Sequence, residues 1–145
     1  MAMLTVGISG TDTLSEKLAI VQEALDIDKV ADQGAALLLH RIRERFLKQV
    51  GPDKIPWVPS FAALRRARTG RGGGTLFNTG RMFHSIQVFT MGPGSRDIGT
   101  DVPYAPKHNF GIGQIRRQFL GFNDDDVTAV TDAIIFKVQQ ALRKK

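Results

Sequence analysis

Leu4, Val6 and Ile8 alternate with Thr5 and Gly7, a period of two that predicts a short strand over 3–9 with one buried face. From there the period changes. Leu14, Leu18, Val21 and Leu25 recur at helical spacing behind Thr13 and Glu16, which fit a capping box, so a helix is expected over 13–26. Ala31, Ala35, Leu38, Ile42 and Phe46 form a second stripe over 29–50, with Arg41, Arg43, Glu44, Arg45 and Lys48 mostly off it. Gly51 and Pro52 close that helix, because glycine accepts a left-handed cap and proline cannot continue. SIQVFTM and SRDIGT flank the turn MGPGS and read as a hairpin over 85–91 and 96–100. Pro103 suits the first turn of a short helix that Gly111 and Gly113 end. Val127, Val130, Ile134, Val138 and Leu142 mark a last helix over 124–142. Asn123 caps it, Asp124, Asp125 and Asp126 sit at the positive end of its dipole, and Arg143, Lys144 and Lys145 at the negative end.

Residues 52–75 break the periodicity. They hold Pro52, Pro56 and Pro59, a glycine triplet, and Arg65, Arg66, Arg68 and Arg71. FAALRRA has room for one or two helical turns, but RTGRGGGT offers no side chains for a core, so 61–75 reads as a long, mobile surface loop of functional interest. Trp57, between Pro56 and Pro59, is placed to pin it to the body. Order resumes at LFNTGRMFHSI, with Leu76, Met82, Phe83 and Ile86 as core candidates. The fold class is α+β: a small, mostly antiparallel sheet against two N-terminal helices and a C-terminal helix, with an Arg/Gly-rich loop. One domain spans 1–145.

Composition narrows the function. Hydrophobic content of 42% and charged content of 23% are those of a globular chain. The absence of cysteine excludes disulfides, thiolate metal sites and cysteine nucleophiles. No apolar run approaches a membrane span, and MAMLTVGISG lacks the form of a signal peptide, so a mature intracellular product with no membrane partner is expected. A formal charge of +6 favours an acidic partner, and no acidic residue lies between Asp53 and Asp97.

The candidate chemistry is sparse. Three consecutive aspartates on a helix point in three directions and do not converge on a metal. His40, His84 and His108 belong to no ligand pattern, and no G-x-S-x-G elbow supports a hydrolase. TGRGGGT lacks the G-K-[ST] ending of a phosphate loop. No catalytic residue, metal site or cofactor is expected, and the chain reads as a non-enzyme. RRARTGRGGG is either a solvated or partner-facing loop or a segment that meets nucleic-acid phosphates by charge. Asp101, Tyr104 and His108 lie in one strand-to-turn passage, and Tyr104 and His108, four apart, share a helical face. They read as a rigid corner. If Tyr104 were fully buried, Tyr104→Ala would cost about 3 kcal/mol or more.

Several segments in order resemble the virion morphogenesis or tail completion proteins of Mu-like phages and prophages. They are WVPS at 57–60, LFNTGRMFHSI at 76–86, DIGTDVPYAPKHNFG at 97–111 and FLG at 119–121. Where that family commonly has a proline-rich passage before Leu-Gly, this chain has IRRQF at 115–119. The resemblance implies a structural protein of the head–tail junction, made in the host cytoplasm and carried in the virion. It would complete or cap the tail and join it to the filled head, as a subunit of a ring, commonly sixfold. Its partners would be itself, neighbouring neck, connector or tail-tube proteins, and in transit phage DNA. Trp57, Thr79, Gly80, Gly99, Thr100, Tyr104, His108, Gly111, Phe119, Leu120 and Gly121 would be framework residues. Arg65, Arg66, Arg68, Arg71, Arg116 and Arg117 would meet a neighbouring subunit or DNA. A nucleic-acid-binding module using the arginine loop is the alternative.

Overall fold

A computed structural model describes residues 12–144, which form six helices and one two-stranded sheet. The expected strand over 3–9 and the Thr13 half of the expected capping box lie outside the described residues and side chains. Helix α1 spans Asp12–Ala24 and α2 Ile27–Leu47. Asp26 caps α2 by accepting from the backbone N–H groups of Asp28 and Lys29. Ala35, Ile42 and Phe46 bury the α2 stripe, as its spacing requires. The stop differs from expectation. Gln49, not Gly51, takes the left-handed conformation (φ 59°). The Val50 and Gln49 amides then reach back to the Arg45 and Phe46 carbonyls, at 3.1 Å each, which satisfies the helix end two residues early. Gly51 is required for a different reason: a Cβ there would meet Asp53 Oδ1 at 2.7 Å and the Gln118 carbonyl at 3.2 Å.

Residues 61–75 open with order. Ser60 caps helix α3, Phe61–Arg68, through Ala63 N–H. Arg66 and Thr75 hold the glycine run: Arg66 donates to the Gly74 carbonyl at 2.9 Å, and buried Thr75 accepts from Ser60 N–H at 3.1 Å. Helix α4, Arg81–Ser85, leads into β1, Gln87–Gly92, which pairs antiparallel with β2, Ser95–Gly99. Val88 faces Ile98, and a register shift falls between Thr90 and Gly92. Arg96 pins this hairpin to the start of α2, with Nε 2.5 Å from Asp32 and a second contact to Asp28 at 3.3 Å.

Helix α5, Ala105–Phe110, carries Pro106 in its first turn, while Pro103 lies in the turn before it. Gly111 ends α5 in the left-handed region (φ 72°), where an added Cβ would also meet Arg116 Cβ at 2.8 Å. Helix α6, Asp124–Arg143, has the complete Asn123–Asp126 capping box. It packs on α1 and α2, and α2 packs on the hairpin.

The core gathers around Phe46. Trp57, Phe119, Phe83 and Phe77 lie at ring-centre distances of 5.3, 5.7, 5.6 and 6.5 Å from it. Ile42, Met82, Ile86, Val102 and Ala105 complete the buried cluster, with Leu76 and Phe83 packed at its edge. Every expected core residue of LFNTGRMFHSI therefore contributes. Val127 and Leu142, by contrast, remain exposed at the two ends of the α6 stripe.

Candidate functional site

The basic residues of α3 follow its own geometry. Ala63 is buried under the helix, so Arg65 and Arg68 face outward while Arg66 turns back to the Gly74 carbonyl. Gly70 (φ 69°) then turns the chain, and the Arg71 amide closes on the Arg66 carbonyl at 2.9 Å. Two adjoining hollows result. One, of about 820 Å³, is lined by Arg65, Arg66, Arg71 and Gly72 among others. The second, of about 590 Å³, is lined by Arg66, Arg81, Arg117, His108 and Tyr104 against Leu76 and Met82. Ala62, Arg66 and Asn78 belong to both, so they form one cleft. No carboxylate among the described residues lines it. Arg66 Nε is buried without a hydrogen-bond partner.

Arginines drawn together with no acid between them repel, and an anion relieves that repulsion. His108 obeys the same field. Burial, and then the charge of Arg117, hold its imidazole below the ordinary histidine value, so at neutral pH the ring is uncharged. The Gln114 side-chain amide lies 2.8 Å from His108 Nδ1, a hydrogen bond that fixes the orientation of the ring.

The six arginines expected at an interface do not share one environment. Arg65, Arg68 and Arg71 are exposed, Arg66 is half-buried, and Arg116 is exposed and bonds Gln118 Oε1. Arg117 departs from the expectation of a partner-facing side chain. It is buried, and its Nε donates to the Val58 carbonyl at 2.7 Å, which ties 115–119 to the Trp57 segment. It contributes its charge to the cleft from below.

The residues expected to form a framework are held by a mixture of long-range and local contacts. Trp57 is buried and donates from Nε1 to the Gln118 carbonyl at 3.0 Å. Asn109, which the sequence did not single out, accepts from both Phe119 N–H (3.0 Å) and Leu120 N–H (2.9 Å) through one oxygen. This holds FLG against the core, with Phe119 fully buried and Gly121 close enough to Pro52 that a Cβ would meet its Cγ at 2.9 Å. Thr79 accepts from Arg81 N–H, and Gly80 starts α4 in the left-handed region. Thr100 Oγ1 lies 2.5 Å from Ser85 Oγ and accepts from Val102 N–H. Gly99 lies beneath Phe89, at ordinary van der Waals distance for a Cβ.

Tyr104 and His108 meet edge to face with ring centres 6.1 Å apart, a corner as their spacing suggested. Tyr104 is 40% exposed, however, so the condition of full burial fails. Tyr104→Ala is expected to lower stability by about 1 kcal/mol or less, read as a small Tm shift in thermal unfolding. A loss of several kcal/mol would show that the corner carries more than its contacts indicate.

The aspartate triplet divides three ways. Asp124 is exposed, Asp125 pairs with Lys54 at 2.5 Å, and Asp126 is completely buried between Arg41 (2.6 Å) and Arg45 (2.8 Å). Dipole complementarity accounts for the first two; the third is also an internal ion pair, which the sequence reading missed. No group of three His, Cys, Asp or Glu among the described residues is placed to hold a metal. No helix among them is long and apolar enough to cross a membrane.

A family model described as the phage virion morphogenesis family matches residues 11–139. No curated protein and no solved structure matches the chain.

Proposed function

Because the chain belongs to the phage virion morphogenesis family, we propose that it completes or caps the tail of a tailed phage and joins it to the filled head, as one subunit of a ring at the neck. The observation that carries this reading is the family match across 11–139, nearly the whole chain. The geometry supports it in two ways. The residues most open to a catalytic reading are used for architecture: Tyr104 and His108 form a corner, and Asp126 sits in an ion pair. The surface also carries large apolar side chains beside charge. Phe61 is 92% exposed, and Phe110, Ile112, Ile115 and Phe122 are all more than half exposed. A subunit that buries surface on assembly accounts for these better than an isolated monomer does.

Turnover has no part in this function. Assembly proceeds by docking, first between copies and then with connector and tail-tube proteins, with the arginine-rich α3 and its following loop on a contacting surface. Electron microscopy of a lysate from phage or prophage lacking the gene tests the proposal. Filled heads lying apart from tails are expected, and tails of irregular length would assign the protein specifically to the tail end. Intact, normal virions would overturn the junction role. The basic cleft supports a second reading, transient contact with DNA phosphates. In that case affinity for an oligonucleotide falls steeply with salt, whereas a weak and flat response removes it.

A further inference from the structure

The arginine cleft has a counterpart on the opposite sign of charge within the same chain. The N-terminal end of α6 presents Asp124 and Asp125 to solvent, flanked by Phe122 (57% exposed) and Val127 (61% exposed). Asp125 is already paired with Lys54, but that pair lies in solvent, where exchange of partners costs little. We infer that the cleft receives the Phe122–Val127 end of α6 from a neighbouring copy of the chain. This rests on the ring reading above and names the contact that would close the ring.

Three features select this occupant. The first is charge: the cleft holds Arg65, Arg66, Arg71, Arg81 and Arg117 without a carboxylate, and α6 begins with two exposed carboxylates. Each arginine carries a planar fork suited to a carboxylate. The second is the apolar wall. Leu76, Met82 and the exposed face of Tyr104 line the second hollow, which suits Phe122 beside the carboxylates and gives nothing to a phosphate backbone. The third is topology. The two patches are different surfaces of one subunit, so their union is heterologous, the head-to-tail kind of contact that a ring requires and that closes where the rotation between copies allows. A nucleic-acid duplex, by contrast, is too broad to enter a hollow of about 590 Å³ and would touch only its arginine rim.

The absence of cysteine from the chain makes the test clean. Arg65→Cys and Asp125→Cys are introduced together, and assembled particles are run on a non-reducing gel. A ladder of covalent multimers is expected from the double variant, and nothing beyond a dimer from either single variant. Alongside it, Arg65→Glu with Arg71→Glu is expected to lower the yield of infectious particles by about tenfold or more, and adding Asp124→Lys with Asp125→Lys should restore it. All four positions are exposed, and circular dichroism of the purified chains checks that they fold. If particles contain several copies but no ladder forms and charge reversal is harmless, the ring stands and this interface is overturned. If particles contain a single copy, the ring reading itself fails. If charge reversal abolishes oligonucleotide binding and the double-cysteine variant gives no ladder, the cleft belongs to nucleic acid and the inference falls.

Discussion

Phe46→Ala is expected to destabilise the protein by about 3–5 kcal/mol, a large share of the roughly 5–15 kcal/mol that holds a domain together. Phe46 has no exposed surface, and four aromatic rings converge on it. Those rings come from separate parts of the chain: Trp57 after α2, Phe77 and Phe83 around the start of α4, and Phe119 before α6. Removing the shared centre leaves a cavity that three separate segments would have to collapse together, which close packing resists. In a chain of this length the change corresponds to a fall in Tm of about 6–20 °C. Differential scanning calorimetry reads it directly. Phe136→Ala is the control: it removes the same ring from a side chain that is 59% exposed, and should shift stability by less than about 0.5 kcal/mol. Equal effects at the two positions would refute the assignment of the core.

Asp126→Ala is expected to cost about 3–5 kcal/mol by a different route. Both carboxylate oxygens lie 2.8 Å from Arg45, Oδ1 also accepts from Arg41, and Oδ2 accepts from Asn123 N–H in the capping box. Truncation removes the cap and leaves Arg45, only 12% exposed, as a charge with no carboxylate. Asp126→Asn keeps the shape and loses the charge, so its cost should be smaller and should isolate the ionic part. Burial by itself pushes the Asp126 carboxyl up, but hydrogen bonds from Arg41, Asn123 and Arg45 outweigh it and hold the group below the ordinary aspartate value. The folded protein therefore binds this proton less readily than the unfolded chain does. The resulting stability is present above the unfolded value and is lost as pH falls through the folded one. Urea unfolding from pH 6 to pH 2 should show the advantage of wild type over Asp126→Asn narrowing below about pH 4. A difference independent of pH would mean that packing, not charge, sets the role of Asp126.

The Asp126 result also marks the limit of local reading. DDD at a helix start has a sufficient local explanation in the dipole, and nothing nearby in sequence points to Arg41 and Arg45, more than 80 residues away. The same holds for Arg117 and Asn109. Beside Arg116, Arg117 reads as one more surface cation until the Val58 carbonyl is brought over it. Asn109 sits near the end of α5 in the ordinary-looking stretch KHNFG, yet its oxygen fixes Phe119 and Leu120. The segment 61–75 was legible only in part. Its arginines and glycines were plain, but the capping of α3 by Ser60 and the burial of Thr75 require the body of the protein to be in place.

What the sequence by itself determined were the features that depend on neighbours a few residues apart. These are the stripes of α2 and α6, the Asn123 cap, the hairpin around MGPGS, the core side of LFNTGRMFHSI and, through the ordered set of motifs, the family. Helical and strand periods, turns and caps are set by local sterics and hydrogen bonding, so they survive in one dimension. Only the tertiary structure decided which charges are buried, where α2 stops, and that the basic side chains of α3, the start of α4 and the 115–119 segment line a single cleft. Those outcomes depend on desolvation and on groups far apart in the chain meeting in space, and neither quantity is written in any short stretch of residues.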